Sequence, residues 1–175
     1  MNNIIPQIEV PILEKGITSN VIIAEELKDK TVIIFGVPGA FTPTCSEKHM
    51  PSFIKLHQQL ISKGIDDIYC LSVNDKFVMH AWLSSYADGD KIIGIADGNG
   101  EICQNLNLIV DKSKTIAPSL RVFSAPFGPN KTISTASSSL TQISKTSQPF
   151  AASLGFEQRL LPFSFLLVSG LRLLL

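Results

Sequence analysis

The stretch that most constrains this chain is Val32 to Phe53, VIIFGVPGAFTPTCSEKHMPSF, which passes from an apolar run through a tight loop to a cysteine at the head of a helix. Val32, Ile33, Ile34 and Phe35 are β-branched or aromatic and are bounded by Gly36, the pattern of a strand buried on both faces. Gly36, Pro38, Gly39 and Pro43 turn the next residues into a loop. Thr44, with Glu47 three residues on and an apolar helical stripe beyond, reads as a capping box that makes Cys45 the first helical residue. Unpaired amide donors and the positive end of the dipole favour thiolate over thiol at such a position. The rival reading is an inert, buried cysteine. Thr42, three residues earlier, and the proline-rich loop weigh against it.

Pro38, Thr42 and Cys45 stand in the spacing P-x-x-x-T-x-x-C. Together with GVPGAFTPTCS, His49, Pro51 and Phe53, they resemble the active-site signature of the peroxiredoxins, in particular the type II, peroxiredoxin-5-like subgroup. The resemblance continues through Lys63 to Asp75, Phe77 to Trp82 and Ile95 to Glu101, and covers residues 1–114. It implies an α/β, thioredoxin-like fold with a central mixed β-sheet flanked by helices. It also implies a thiol-dependent peroxidase that reduces hydrogen peroxide and organic hydroperoxides such as alkyl hydroperoxides without a cofactor. Cys45 is then the peroxidatic residue, Thr42 the hydroxyl partner and Pro38 the shield of the thiolate, with Gly39, Thr44 and His49 as substrate contacts. Glutathione, glutaredoxin or thioredoxin is the implied reductant, and a homodimer the implied assembly. A second reading from another class is a catalytically impaired relative acting as a redox sensor or dimerising partner. The intact P-x-x-x-T-x-x-C loop favours the enzyme.

Two further roles follow from the resemblance. Cys70 falls where plant type II members carry a second cysteine, so it is a candidate resolving thiol. Its other reading is a small apolar residue inside a strand, and a disulfide would need the two Cα atoms within about 7 Å. The family also places an arginine at the thiolate. Lowering a cysteine pKa from about 8.5 to about 6 takes roughly 3.4 kcal/mol, whereas a helix N-terminus supplies roughly 0.3 to 1 kcal/mol and at most about 2. Arg121, in Arg-Val-Phe-Ser, is one residue out of register. Arg159 precedes LLPFSFLLV, in which the matching place is Pro162.

Fifteen basic and fifteen acidic residues cancel, leaving no long-range field that would recruit nucleic acid or an anionic membrane. Cys45, Cys70 and Cys103 share no ligand spacing with His49, His57 and His80, so no metal is expected. MNNIIPQIEV lacks signal-peptide and transit-peptide character, which points to the cytoplasm, where a working thiol stays reduced.

The 175 residues suit a single domain. Residues 7–14 are expected as an edge strand, Asn20 to Leu27 as a short helical turn, and Ile65 to Val73 as a second buried strand. Asn74 and Asp75 should cap a helix from Lys76 to about Tyr86, followed by a third strand over Lys91 to Ala96 and a short helix holding Cys103. After Cys45, the residues Met50, Phe53, Ile54, His57, Leu60 and Ile61 fall on one helical face, with Pro51 kinking the axis. His57 reads as a partly buried residue of that face.

Beyond residue 114 the character changes. Residues 1–114 carry ten basic and fourteen acidic residues, while residues 115–175 carry five and one, so the sign of the charge reverses. Ten of the sixteen residues from Thr132 to Ser147 are serine or threonine, which marks residues 115–154 as an atypical, partly disordered insert. Gly155 to Gly170 resembles a displaced copy of the family's last strand. The Leu-rich run from Leu160 is short for a membrane span of about twenty residues and reads as a buried strand.

Overall fold

Alternation inside the apolar runs sets the layers of the molecule. The computed structural model describes residues 5–111, 121–123, 132–134, 141–145 and 166–170, with side chains through residue 108. In chain order the elements are β1 (Glu9–Glu14), β2 (Ile17–Ile22), α1 (Ile23–Glu26), β3 (Val32–Val37), a π-helical turn (Cys45–His49) continuing into α2 (Met50–Ile61), β4 (Asp67–Ser72) and α3 (Lys76–Ser84). A 3-10 turn (Gly89–Lys91), β5 (Ile93–Ala96), α4 (Glu101–Asn105) and β6 (Ile109–Asp111) follow, then β7 (Arg121–Phe123), β8 (Thr132–Ser134), β9 (Thr141–Lys145) and β10 (Leu166–Gly170).

Eight strands form one sheet in the order β2-β1-β5-β4-β3-β10-β9-β8, and β6 pairs with β7 in a separate ribbon. The central β3, β4 and β5 are parallel and the remaining pairs antiparallel, so the sheet is mixed. Val32 and Ile34 of β3 pack with Tyr69, Leu71, Ile93 and Ile95 on the face covered by α1 and α4. Ile33, Phe35 and Val37 point the other way, onto Phe53, Leu56 and Leu60 of α2 and Met79 and Trp82 of α3. A strand buried on both sides needs a continuous apolar run, and this explains why β3 shows no polar alternation. The arrangement is the thioredoxin-like fold that the resemblance implied.

Several expectations change. β1 is interior, lying between β2 and β5, because Val10, Ile12 and Leu13 are buried; the unanticipated β2 forms the edge and is almost wholly exposed. β3 runs through Gly36 to Val37, since Gly36 and Val37 keep their register with Leu71 and Ser72. The buried row of α2 is Met50, Phe53, Leu56 and Leu60, with Ile54, His57 and Ile61 only half-buried on its flank. Phe53 sets that rotation, as its ring stacks on Phe35 at 4.1 Å and 8°.

Within the expected insert 115–154, three segments are strands, and β9 sits in the main sheet between β8 and β10. The pairing of Ile133 with Ile143 shows that the Ser/Thr-rich segment contains β-formers at matched positions. β10 pairs antiparallel with β3, Leu166 opposite Ile34. The rest of residues 115–175, Arg159 and Pro162 included, lies outside the described residues, as does the side chain of Arg121.

Candidate active site

β3 ends at Val37 and hands the chain to a loop that Asn74 holds from the end of β4. The Asn74 Oδ1 accepts the Ala40 N–H at 2.9 Å and the Ser72 hydroxyl at 2.6 Å. Capping of α3 falls to Asp75 alone, which accepts the N–H groups of Phe77 and Val78. Phe41, at φ +60°, bends the loop back through the left-handed region and leaves its ring 55% exposed.

The helix starts earlier than its sequence suggests. Pro43 and Thr44 are already helical, the Ser46 N–H bonds the Thr42 carbonyl at 2.9 Å, and Thr44 is exposed and makes no cap. Thr42 is therefore the N-cap position and Pro43 the first helical residue, where a missing N–H costs nothing. Cys45 stands two residues further in, still within the turn whose amides have no intrahelical carbonyl to bond.

From Cys45 the backbone is π-helical, and the Met50 N–H reaches the Cys45 carbonyl. Pro51 explains a gap in this ladder. In the same register the Ser46 carbonyl would look to residue 51, a proline without a donor. Tyr86 fills the vacancy: its hydroxyl donates to the Ser46 carbonyl at 2.9 Å. The Trp82 indole N–H donates to the Ser46 hydroxyl at 3.0 Å, and the two rings meet edge to face.

Cys45 is 6% exposed. Burial pushes its thiol above the ordinary range, and a hydrogen bond with the Thr42 side chain draws it partly back. The Thr42 hydroxyl also lies 2.9 Å from the Gly39 carbonyl, to which it donates. Pro38 and Gly39 are half-buried in the loop before it.

His49 ends the π-helical turn with its ring directed into the core, 5% exposed and tilted against Phe35 and Phe53 at 5.1 and 5.6 Å. Burial lowers its pKa to about 4, so the ring is neutral near pH 7. Cys70 is fully buried in β4, opposite Phe35, in the same apolar layer as Cys45. Burial pushes its thiol well above the ordinary range, and the neighbouring Cys45 adds to that. Cys103 belongs to a different site. Its N–H and that of Ile102 donate to the buried Asp97 carboxylate, and its thiol is held by the same group.

Thr42, Cys45, Pro38 and Gly39 thus share one loop and turn, while Thr44 and His49 face away from it, into solvent and core. Ser46, Trp82 and Tyr86 were given no role from sequence, and Asn74, expected as a cap of α3, holds the loop instead. The one advance signal is Pro51, five residues after Ser46. Among the described residues no three His, Cys, Asp or Glu side chains converge as a metal site, and no helix is long and apolar enough to cross a membrane.

A family model described as Redoxin matches residues 3–125. Peroxiredoxin-2B of Arabidopsis thaliana is 55% identical over 82 residues, 47% of this chain and 51% of that protein. Peroxiredoxin-2E, chloroplastic, of the same organism is 46% identical over 96 residues, 55% of this chain and 41% of that protein. The chain therefore spans about half the length of the curated relatives it matches. The crystal structure of the Plasmodium falciparum antioxidant protein, a 1-Cys peroxiredoxin, superposes with a TM-score of 0.60 at 32% identity, covering 66% of this chain and 70% of that one.

Proposed function

The chain belongs to the redoxin family, and from that membership we propose that it is a thiol-dependent peroxidase acting through Cys45 on hydrogen peroxide and organic hydroperoxides. The observation that carries this reading is the hydrogen bond between Thr42 and Cys45 at the head of the helix, beside the loop that Pro38 opens. A thiolate there attacks the distal oxygen of the peroxide. The O–O bond breaks, Cys45 becomes a sulfenic acid, and the departing alkoxide or hydroxide takes a proton to leave as alcohol or water. The Thr42 hydroxyl and the first-turn amides are the groups proposed to hold the two oxygens.

Resolution is assigned to an external thiol, from glutathione, glutaredoxin or thioredoxin. That thiol attacks the sulfenic sulfur, water leaves, and a mixed disulfide forms, which a second thiol reduces. Cys70 is the weaker candidate, since a fully buried strand residue is a poor nucleophile until the layer around it opens.

Burial raises the Cys45 thiol, and no described cation lowers it, so an arginine from the C-terminal part is proposed to complete the site. Arg121 and Arg159 are the proposed candidates, and β10 pairs directly with β3, the strand that leads into the Cys45 loop. A homodimer is proposed through the loop face, where Phe41 and Phe77 are 55% and 75% exposed. The proposed compartment is the cytoplasm, in keeping with three free cysteines.

Trapping with dimedone after one equivalent of peroxide tests the assignment. A sulfenic adduct on Cys45, with peroxide consumption sustained by glutathione and glutaredoxin or by thioredoxin, is the expected result. Consumption without modification of Cys45 would overturn it.

A further inference from the structure

We propose that the Tyr86 hydroxyl and the Trp82 indole form a side latch on Ser46 that keeps the Cys45 turn closed to bulky thiol-reactive partners while admitting small ones. Three observations meet at Ser46. It adjoins Cys45, which is only 6% exposed. Its carbonyl falls opposite Pro51 in the π register and so lacks a main-chain donor. Both of its oxygens are instead bound from outside the helix, the carbonyl by Tyr86 at 2.9 Å and the hydroxyl by Trp82 at 3.0 Å.

A helical turn normally opens against its own backbone ladder. Here the ladder has a gap, so side-chain bonds from a distant element carry much of the resistance to local opening. Tyr86 packs against the apolar layer under α2 and also borders an open cavity of about 260 Å³ with Leu13, Lys15, His80 and Leu83, the space toward which a ring released from Ser46 would turn. The proposal deepens the peroxidase reading by naming what limits access of the reductant to the Cys45 sulfenic acid, but its test does not need turnover.

Two reagents that attack by the same chemistry and differ in size read the latch. With methyl methanethiosulfonate, the Cys45 thiolate forms a methyl disulfide and releases methanesulfinate. With 5,5′-dithiobis(2-nitrobenzoate), it forms a mixed disulfide and releases thionitrobenzoate. Both rates scale with the thiolate fraction, so their ratio cancels any change in acidity and reports access alone. In the full chain, with adducts located by peptide mass, Tyr86→Phe should raise the rate with the bulky reagent roughly three- to tenfold, as expected for one net hydrogen bond. The rate with the small reagent should change less than twofold. Ser46→Ala, which removes the acceptor of Trp82, should move the ratio in the same direction and serves where Tyr86→Phe does not fold. An unchanged ratio in the folded variants overturns the latch. So does labelling of Cys70 and Cys103 in step with Cys45, which would signal global unfolding. Failure of the peroxidase reading shows separately, as absence of a sulfenic adduct in the wild-type chain.

Discussion

The Thr42 hydroxyl lies 2.9 Å from the Gly39 carbonyl and also hydrogen-bonds Cys45. A hydroxyl has one proton and two lone pairs. While Cys45 is a thiol, Thr42 can donate to Gly39 and accept from sulfur; once Cys45 is a thiolate, the proton is better placed on sulfur. Thr42 therefore favours the reactive form only by giving up its loop bond. Thr42→Val keeps the shape and removes the choice. It should raise the Cys45 pKa further and slow peroxide reduction roughly ten- to hundredfold, the span of a hydrogen bond to a charged group. Thr42→Ser should retain most of the rate. Stopped-flow oxidation of the two variants across pH checks both statements.

Cys45→Ser should abolish peroxide consumption, because oxygen at that position cannot be cycled through a sulfenic acid. Cys70→Ser should only slow turnover or change its dependence on the reductant. A coupled assay with glutaredoxin and with thioredoxin distinguishes the two, and turnover surviving in Cys45→Ser would contradict the assignment.

His49 gives the fold an acid limit. Its pKa falls from an ordinary 6.5 to about 4 on burial, so between those values the unfolded chain binds a proton that the native chain does not. The stability it permits is complete above pH 6.5 and is lost as pH falls toward 4, by roughly 3 kcal/mol at the lower end. His49→Phe, in a cluster already formed by Phe35 and Phe53, should flatten this part of the curve. Urea denaturation at pH 7, 5.5 and 4.5 measures it.

Gly89 is fixed by close approach. A methyl group there would collide with the Leu83 carbonyl oxygen and stand 2.9 Å from its carbon, and backbone cannot swing aside as a flexible side chain can. Gly89→Ala should cost about 2 to 4 kcal/mol. Because the same segment carries Tyr86, the variant should also speed labelling of Cys45 by the bulky disulfide. Thermal unfolding and the labelling ratio report the two effects separately.

The pattern from Val32 to Phe53 was legible because each of its signals is local. A β-branched run, a Gly-Pro loop and a helical stripe place a cysteine at the head of a helix without any knowledge of what surrounds it. Asp75 as a cap and β4 and β5 as buried strands were legible for the same reason. The capping box at Thr44 misled because Pro43 can itself open the helix, which moves the start two residues upstream. Ser46, Trp82 and Tyr86 were hidden because their connection is tertiary: a proline's missing donor at one place is answered by a hydroxyl 35 residues away. β1 was expected at the edge and lies inside because β2, which the sequence reading left out, pairs along its other side, and no property of β1 alone decides that.

The antiparallel pairing of β3 with β10 has a consequence for how the protein is made. β3 finds β4 on one side within a single crossover, but its other neighbour is synthesised near the far end of the chain. Until then, the strand that launches the Cys45 loop presents an unpaired, wholly apolar edge. Contacts of such long sequence separation form slowly. The strand beneath Cys45 is thus a part of the nascent chain in need of protection on the ribosome, and a truncation before Leu166 should aggregate where the chain that includes β10 does not.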